Sequence, residues 1–128
     1  MGKARVLVVD DELDVVQFIE RALKDEQMEV ICAYDGLSAL DLAEMERPDV
    51  IVLDIMMPMM SGYEVAEQLK ANPQTHHIPI LCLTSAHTLD ARIRCRQVGA
   101  STVILKPFLP AELVAQIRRF LPKAGEAD

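Results

Sequence analysis

Five short apolar runs recur along this chain, and each is followed by a segment with apolar residues at helical spacing. The runs cover residues 6–9, 30–32, 50–53, 80–83 and 103–105. They are continuous rather than alternating, which is typical of strands that helices cover on both faces. Strand–helix alternation with short connections favours right-handed crossovers and a parallel sheet. The pattern therefore predicts an α/β fold.

Apolar stripes and boundary residues mark the intervening helices. The stripes are Leu13, Val16, Ile19 and Leu23; Leu40 and Ala43; Val65, Ala66 and Leu69; Leu89 and Ile93; and Leu113, Val114, Ile117 and Leu121. Pro48 precedes the third run, and Asn72-Pro73 ends the third helical segment. Five such units fit a flavodoxin-like (βα)5 doubly wound parallel sheet with strand order 2-1-3-4-5. We expect one domain over residues 1–122, and a polar tail or the start of a linker over 123–128.

Charge and cysteine content exclude several classes of protein. Thirteen Lys and Arg against twenty Asp and Glu give a net charge of −7, which argues against direct nucleic-acid binding. No apolar run has the length of a membrane span, and the N-terminus does not resemble a signal peptide. Cys32, Cys82 and Cys95 lie far apart along the sequence, which predicts reduced core thiols of a cytoplasmic protein rather than a disulfide frame or zinc site.

Polar residues follow four of the five predicted strands. Asp10 and Asp11 follow the first strand, Asp54 the third, Thr84 the fourth and Lys106 the fifth. Ligands of open α/β sheets bind beyond the carboxyl ends of the strands, where the strand order reverses. Each residue alone has a plainer role, such as a helix cap or a turn. Together they predict one site that contains three carboxylates, a hydroxyl and an ammonium group.

Three carboxylates in one cleft repel each other unless a cation lies between them. Oxygen-only ligands suit Mg²⁺, which binds through one or two carboxylates and completes its shell with water and phosphate oxygens. With Mg²⁺ and Lys106 present, the charge of the site is close to zero. Such a site can accept a phosphoryl group, and an aspartate can act as the nucleophile.

Four motifs in this order are similar to those of response regulator receiver domains of two-component signalling. They are VLVVDDE at residues 6–12, DIMMPMMSG at 54–62, LTS at 83–85 and KPF at 106–108. The resemblance covers about residues 4–121. It implies a signalling switch rather than an enzyme, although the domain assists its own phosphorylation and dephosphorylation.

The resemblance implies a role for each residue of the metal site. Asp54 is expected to accept the phosphoryl group from a phosphohistidine on a sensor histidine kinase or histidine phosphotransfer domain. Asp11 and Asp54 are expected to bind Mg²⁺ directly, Asp10 through water, and Met56 through its backbone carbonyl.

The resemblance also implies how the phosphorylated state is recognised. Thr84 is expected to hydrogen-bond the phosphoryl group and Lys106 to pair with another of its oxygens, with a cis peptide bond before Pro107. Phosphorylation is expected to change a binding surface near the fourth helix, fifth strand and fifth helix, for an output domain or protein that the sequence does not identify.

The chain departs from the receiver pattern at two places. Val103 stands where receivers often carry an aromatic switch residue, so a rotation of an aromatic ring at that position is impossible. Ser101 and Thr102 stand where regulators with winged-helix output domains usually have two acidic residues. A homodimer remains possible, but the charge-paired form is less expected.

The residues of this chain bear on three alternatives to the switch. A flavodoxin-type binding protein needs a Gly/Ser/Thr-rich phosphate loop after the first strand, where this chain has Asp10, Asp11 and Glu12. A dehalogenase-type phosphohydrolase needs a second Asp two residues after the nucleophile, where this chain has Met56. A pseudo-receiver that binds partners without phosphorylation stays the alternative, although such domains usually lack one of the acids or the lysine.

Overall fold

A computed structural model describes residues 2–122 and contains one five-stranded parallel sheet. The strands are β1 (Arg5–Val9), β2 (Glu29–Ala33), β3 (Val50–Asp54), β4 (Ile80–Thr84) and β5 (Thr102–Leu105). Their order across the sheet is β2-β1-β3-β4-β5, and all four neighbouring pairs are parallel. The predicted fold and strand order are therefore confirmed. The predicted tail over residues 123–128 lies outside the described part of the chain.

Each strand is followed by a helix, and short polar residues begin several of these helices. The helices are α1 (Leu13–Asp25), α2 (Gly36–Glu46), α3 (Gly62–Ala71), α4 (Leu89–Gln97) and α5 (Pro110–Phe120). Asp35, Ser61 and Thr88 are the N-caps of α2, α3 and α4, and their side chains accept hydrogen bonds from backbone amides of the first turn. The third helix ends at Ala71, directly before Asn72-Pro73.

Alternate residues of the strands face two separate cores. One core packs β-strand side chains such as Leu7 and Ile51 against α2, α3 and α4. The other packs residues such as Val8 and Val52 against α1 and α5. Because both faces of the sheet are covered, the central strands β3 and β4 are fully buried along their length. Among the described helices, none is long and apolar enough to cross a membrane.

The apolar stripes predicted for α1 and α4 were wrong at three positions. Leu13, Leu89 and Ile93 are 54%, 71% and 43% exposed, so they do not belong to either core. Leu13 and Leu89 are the first residues of their helices. The buried face of α4 consists instead of Ala91 and Cys95, whose small side chains let this helix approach the sheet.

Candidate functional site

Three carboxylates meet at the carboxyl edge of the sheet. Asp10 follows β1 directly, Asp11 is the next residue, and Asp54 is the last residue of β3, the strand beside β1. One oxygen from each carboxylate lies within 4.8 Å of the others. Asp10 and Asp54 are 0% and 3% exposed, whereas Asp11 is exposed. Two carboxylates of the cluster are thus buried, and the third, that of Asp11, reaches solvent.

The turn after β1 fixes the buried carboxylate of Asp10. The Glu12 backbone amide donates a hydrogen bond to Asp10 Oδ1 at 3.0 Å. Glu12, not either aspartate, is the N-cap of α1, and its side chain makes no capping bond. A simple helix-cap role therefore does not account for the position of Asp11.

Lys106 links the two buried acids. Its Nζ lies 3.0 Å from Asp10 Oδ2 and 3.2 Å from Asp54 Oδ1, and its side chain is 21% exposed. The Lys106 amide donates to the Thr84 carbonyl at 2.8 Å, which holds the end of β5 against β4. The peptide bond between Lys106 and Pro107 is cis.

The Lys106 ammonium group contacts the carboxylates of both Asp10 and Asp54, and the pKa values of Asp54 and Lys106 reflect these contacts. Burial, followed by repulsion from Asp10, raises the pKa of Asp54 from 3.8 to about 6, although Lys106 and the Met56 amide act in the opposite direction. Burial alone lowers the pKa of Lys106, but its bonds to Asp10 and Asp54 outweigh burial and raise it. The negative charge of the three carboxylates therefore exceeds the positive charge of Lys106.

Thr84 completes the other side of the cleft. It is the last residue of β4, is 1% exposed, and accepts a hydrogen bond from the Ala86 amide at its Oγ1 at 3.0 Å. None of the hydrogen bonds in the described residues uses the Thr84 hydroxyl as a donor. Its proton is available to a ligand in the cleft.

The connection between β3 and α3 folds tightly behind Asp54. The Gly62 amide donates to the Ile55 carbonyl at 2.9 Å, and a β-carbon at Gly62 would stand 2.3 Å from the Asp54 carbonyl oxygen. Met59 has a left-handed backbone (φ 69°), and the Met60 amide bonds to the Pro58 carbonyl at 2.8 Å, as in a γ-turn. Met56 lies at the start of this connection, with an exposed side chain.

The donor set suits a hard divalent cation. All three acids offer oxygen, two of them are buried, and the single nearby ammonium group does not balance their charge. Mg²⁺ prefers carboxylate and water oxygens and keeps several waters, which the exposed position of Asp11 permits. The residues present therefore fit a magnesium ion.

Exposed apolar side chains follow the strands at the edge of the sheet where the acids lie, and the sequence pattern did not predict them as a group. Each strand is followed by at least one, either in the connection or in the first turn of the next helix. We call this set the apolar rim: Leu13, Leu37, Met56, Met59, Leu89 and Leu109. The signal was present in the sequence, because every apolar run is followed within a few residues by an isolated Leu or Met at a helix start or in a loop.

Comparisons with known proteins agree with this arrangement. A family model described as the response regulator receiver domain matches residues 6–118. The chain is 41% identical over 121 residues to the transcriptional regulatory protein PrrA of Mycobacterium tuberculosis, covering 94% of this chain and 51% of PrrA. It is 42% identical over 115 residues to the response regulator PleD of Caulobacter vibrioides, covering 90% of this chain and 25% of PleD. The chain thus spans about half or less of these relatives.

Solved structures give the same result for the fold. The chemotaxis protein CheY4 of Vibrio cholerae superposes with a TM-score of 0.90 at 36% identity, covering 94% of this chain and all of that one. The receiver domain of a sensor histidine kinase from Pseudomonas aeruginosa has a TM-score of 0.86 at 29% identity, covering 93% and 98% of the two chains. That structure has a magnesium ion coordinated in its active-site cleft.

Proposed function

The chain belongs to the response regulator receiver domain family of two-component signalling, and on this premise we propose that Asp54 accepts a phosphoryl group from a phosphohistidine. The donor is a sensor histidine kinase or a histidine phosphotransfer domain. The observation that carries the proposal is the central position of Asp54. It ends β3, between the acids that follow β1 and Thr84 at the end of β4, and it contacts Lys106.

The transfer needs an ionised Asp54. One carboxylate oxygen forms a bond to phosphorus while the bond between phosphorus and the donor imidazole nitrogen breaks, and the released imidazole can take up a proton from solvent. Because the pKa of Asp54 is raised only to about 6, this carboxylate is mostly ionised at neutral pH. The three acids together still present strong negative charge to an incoming phosphoryl group.

The acids would hold Mg²⁺ with Asp11 and Asp54 as direct ligands, Asp10 through water, and the Met56 carbonyl as a further donor. When bound, Mg²⁺ supplies positive charge to the oxygens of the transferring phosphoryl group. Asp10 suits the indirect position because its carboxylate already accepts bonds from Lys106 and the Glu12 amide.

Lys106 and Thr84 would stabilise the phosphorylated state. The phosphoryl group on Asp54 brings about two negative charges and three acceptor oxygens. Lys106 lies within 3.2 Å of the Asp54 oxygen and needs only a small shift to reach them. Thr84 can turn its hydroxyl group toward these oxygens. Because the Ala86 amide is bonded to the same hydroxyl oxygen, this rotation would shift the connection that leads to α4.

The output is a change of surface rather than a chemical product. Thr84 begins the connection to α4, and the Lys106 amide is bonded to the Thr84 carbonyl at the end of β5. A shift at either residue would therefore alter the surface near α4, β5 and α5. Because residue 103 is a half-buried valine, the backbone and α4 must carry this shift. A cytoplasmic location agrees with the three free thiols of the chain.

Mass spectrometry tests the acceptor directly. Incubation with a small phosphodonor and Mg²⁺ should add one phosphoryl group to the protein. Asp54→Asn, or excess chelator, should abolish the addition. Labelling of Asp54→Asn at the wild-type rate would refute the assignment of Asp54. No addition to a protein that demonstrably binds Mg²⁺ would favour the alternative, a pseudo-receiver that binds partners without phosphorylation.

We propose that the apolar rim contacts the protein that donates the phosphoryl group. Rim residues follow all five strands at the edge where the acids lie, so a donor protein that reaches Asp54 contacts part of the rim. Leu109→Ser should slow transfer from a phosphorylated histidine phosphotransfer domain by roughly three- to tenfold, because apolar burial at the contact is lost. Transfer from a small phosphodonor should not change, because that molecule does not touch the rim.

Met45 provides the matched control for this experiment. It is 75% exposed, like Leu109 at 65%, but lies in the last turn of α2, away from the rim. Met45→Ser should leave both rates unchanged. Serine is a favourable residue at the N-cap of α5, which Leu109 occupies, so stability should not fall. Equal rates for the two variants with the protein donor would argue against the rim as a contact.

A further inference from the structure

The fold brings together two cysteines that are thirteen residues apart in the sequence. Cys82 lies in the middle of β4 and Cys95 on the buried face of α4. Both side chains are 0% exposed and belong to the same core, where the two thiols lie close enough for each to shift the pKa of the other. The third cysteine, Cys32, is on β2 and only half-buried. All three are free thiols.

Polar groups border this thiol pair on its outer side. The Tyr63 hydroxyl, from α3, interacts with Cys95 and lowers its pKa, and the Arg94 guanidinium carbon lies 4.1 Å from the centre of the Tyr63 ring. A cleft of about 450 Å³ opens beside them, lined by Tyr63, Arg94 and Met57 among others. Tyr63, which interacts with Cys95, thus also lines a cleft that is open to solvent.

The helix that carries Cys95 is weakly anchored. Only Ala91 and Cys95 of α4 are buried, and both are small side chains. Segments with few buried apolar contacts open locally at low free-energy cost. A small molecule in the cleft can therefore reach Cys95 when α4 moves outward.

The surroundings distinguish the two thiols. The interaction with Cys82 lowers the pKa of Cys95, and Tyr63 and Arg94 lower it further, although burial acts in the opposite direction. The same interaction and burial raise the pKa of Cys82. Cys95 is therefore the thiol that ionises first, and Cys82 keeps its proton.

We propose that Cys82 and Cys95 form an oxidisable thiol pair, which hydrogen peroxide converts into a disulfide between β4 and α4. The Cys95 thiolate attacks one peroxide oxygen and the O–O bond breaks, which leaves a sulfenic acid and a hydroxide that takes up a proton to form water. The Cys82 sulfur then attacks the sulfenic sulfur. A second water leaves with the Cys82 proton, and the pair has lost two electrons and two hydrogens.

The disulfide would fix α4 to the strand that ends in Thr84. Cys82 and Thr84 are two residues apart on β4, so their side chains lie on the same face of the sheet. This consequence rests on the proposed function, because it matters only if a phosphoryl group at Asp54 moves Thr84 and α4. The oxidation itself does not depend on that function.

Peroxide treatment of the reduced protein tests the pair. The intact mass should fall by about 2 Da, and peptide mapping should find one crosslink, between Cys82 and Cys95. Cys32→Ser, the matched control, should behave like the wild type. Cys95→Ala should abolish the mass loss, and Cys82→Ala should stop at a sulfenic acid that dimedone traps. A crosslink that includes Cys32, or no mass loss in the wild type, would overturn the proposal.

Tyr63→Phe keeps the ring and removes the hydroxyl that interacts with Cys95. Oxidation should then be roughly three- to tenfold slower at pH 7, with no change at high pH, where Cys95 is fully ionised. An unchanged rate at pH 7 would overturn the role of Cys95 as the first thiol to react.

Phosphorylation of the same samples separates this inference from the proposed function. We expect both oxidised and reduced protein to gain a phosphoryl group from the small phosphodonor. Hydrogen exchange in residues 89–97 should respond to phosphorylation at least threefold less in the oxidised form. A crosslink in a protein that accepts no phosphoryl group would refute only the proposed function, and equal exchange in two phosphorylated forms would refute only the control of α4.

Discussion

At the scale of single residues, the main feature is a lysine shared by two buried acids. Lys106 contacts Asp10 and Asp54 at nearly equal distances, and burial adds to their repulsion. Ionisation of Asp54 therefore raises the free energy of the folded state, which is why the pKa of Asp54 is raised from 3.8 to about 6. Unlike an acid in a well-paired salt bridge, Asp54 is a source of instability when it is ionised.

This argument predicts the effect of Asp54→Asn on stability. Above pH 6 wild-type Asp54 is charged in both states and costs folding free energy, whereas below about pH 4 it is neutral in both. Without metal, the variant should be more stable than the wild type by about 1–3 kcal/mol at pH 7.5. The difference should vanish as the pH falls through 6 toward 4. Denaturant unfolding across this pH range would measure it.

Asp41→Asn is the control for net charge. Asp41 is exposed on α2, so the same loss of one negative charge occurs without a change in burial. Its stability difference from the wild type should stay within about 0.5 kcal/mol at every pH. Parallel pH curves for the wild type and Asp54→Asn would contradict the raised pKa of Asp54.

At the scale of elements, the sequence predicted the strands better than the helix surfaces. Continuous runs of Val, Ile and Leu identify buried strands because nothing else places so many apolar residues in succession. Helix stripes are less certain near helix ends, where Leu13 and Leu89 are exposed. Small residues such as Ala91 carry no strong apolar signal, although they form the true contact of α4.

The same difference between strands and helix surfaces explains which contacts could be predicted from the sequence. The rule that parallel strands end at one edge was enough to bring Asp10, Asp54, Thr84 and Lys106 together. The contact between Cys82 and Cys95 depends on how α4 is rotated against β4, which the sequence pattern does not specify. The roles of the site residues in phosphoryl transfer remain predictions.

The β3–α3 connection should tolerate no added side chain at Gly62. A β-carbon there would meet the backbone at the Asp54 carbonyl oxygen and the Ile55 α-carbon, and backbone has little freedom to move away. Gly62→Ala should destabilise the protein by about 2–4 kcal/mol and weaken Mg²⁺ binding, because the connection carries the carbonyl of Met56, which we propose as a ligand of the ion. Denaturant unfolding and Mg²⁺ titration would measure these effects.

Gly2→Ala is the control, because nothing lies within 4 Å of the added carbon at Gly2. Its stability should match the wild type to within about 0.5 kcal/mol. If Gly62→Ala unfolds at the same denaturant concentration as this control, the connection is looser than the structure indicates.

At the scale of the whole molecule, metal binding should stabilise the fold in a pH-dependent way. The acid cluster exists only in the folded chain, so Mg²⁺ at about one hundred times its Kd should add roughly 2.7 kcal/mol to the free energy of unfolding. Protons compete for Asp54, whose pKa is about 6, and the gain should therefore be larger at pH 7.5 than at pH 5.5.

Sodium chloride of matched ionic strength is the control for this measurement, since it screens charge without entering the cluster. It should stabilise less than Mg²⁺ at pH 7.5. Asp11→Asn should lose most of the Mg²⁺-specific gain, because it removes the solvent-facing ligand. Equal effects of the two salts would contradict a specific site.

The edge position of β5 has a consequence for synthesis of the chain. All three acids are already present once β3 has left the ribosome, but Lys106 follows the last strand of the sheet to be made. Until β5 pairs with β4, the nascent domain carries a cluster of like charges with no lysine to bridge them. Docking of the final strand therefore completes the sheet and relieves this repulsion in a single event.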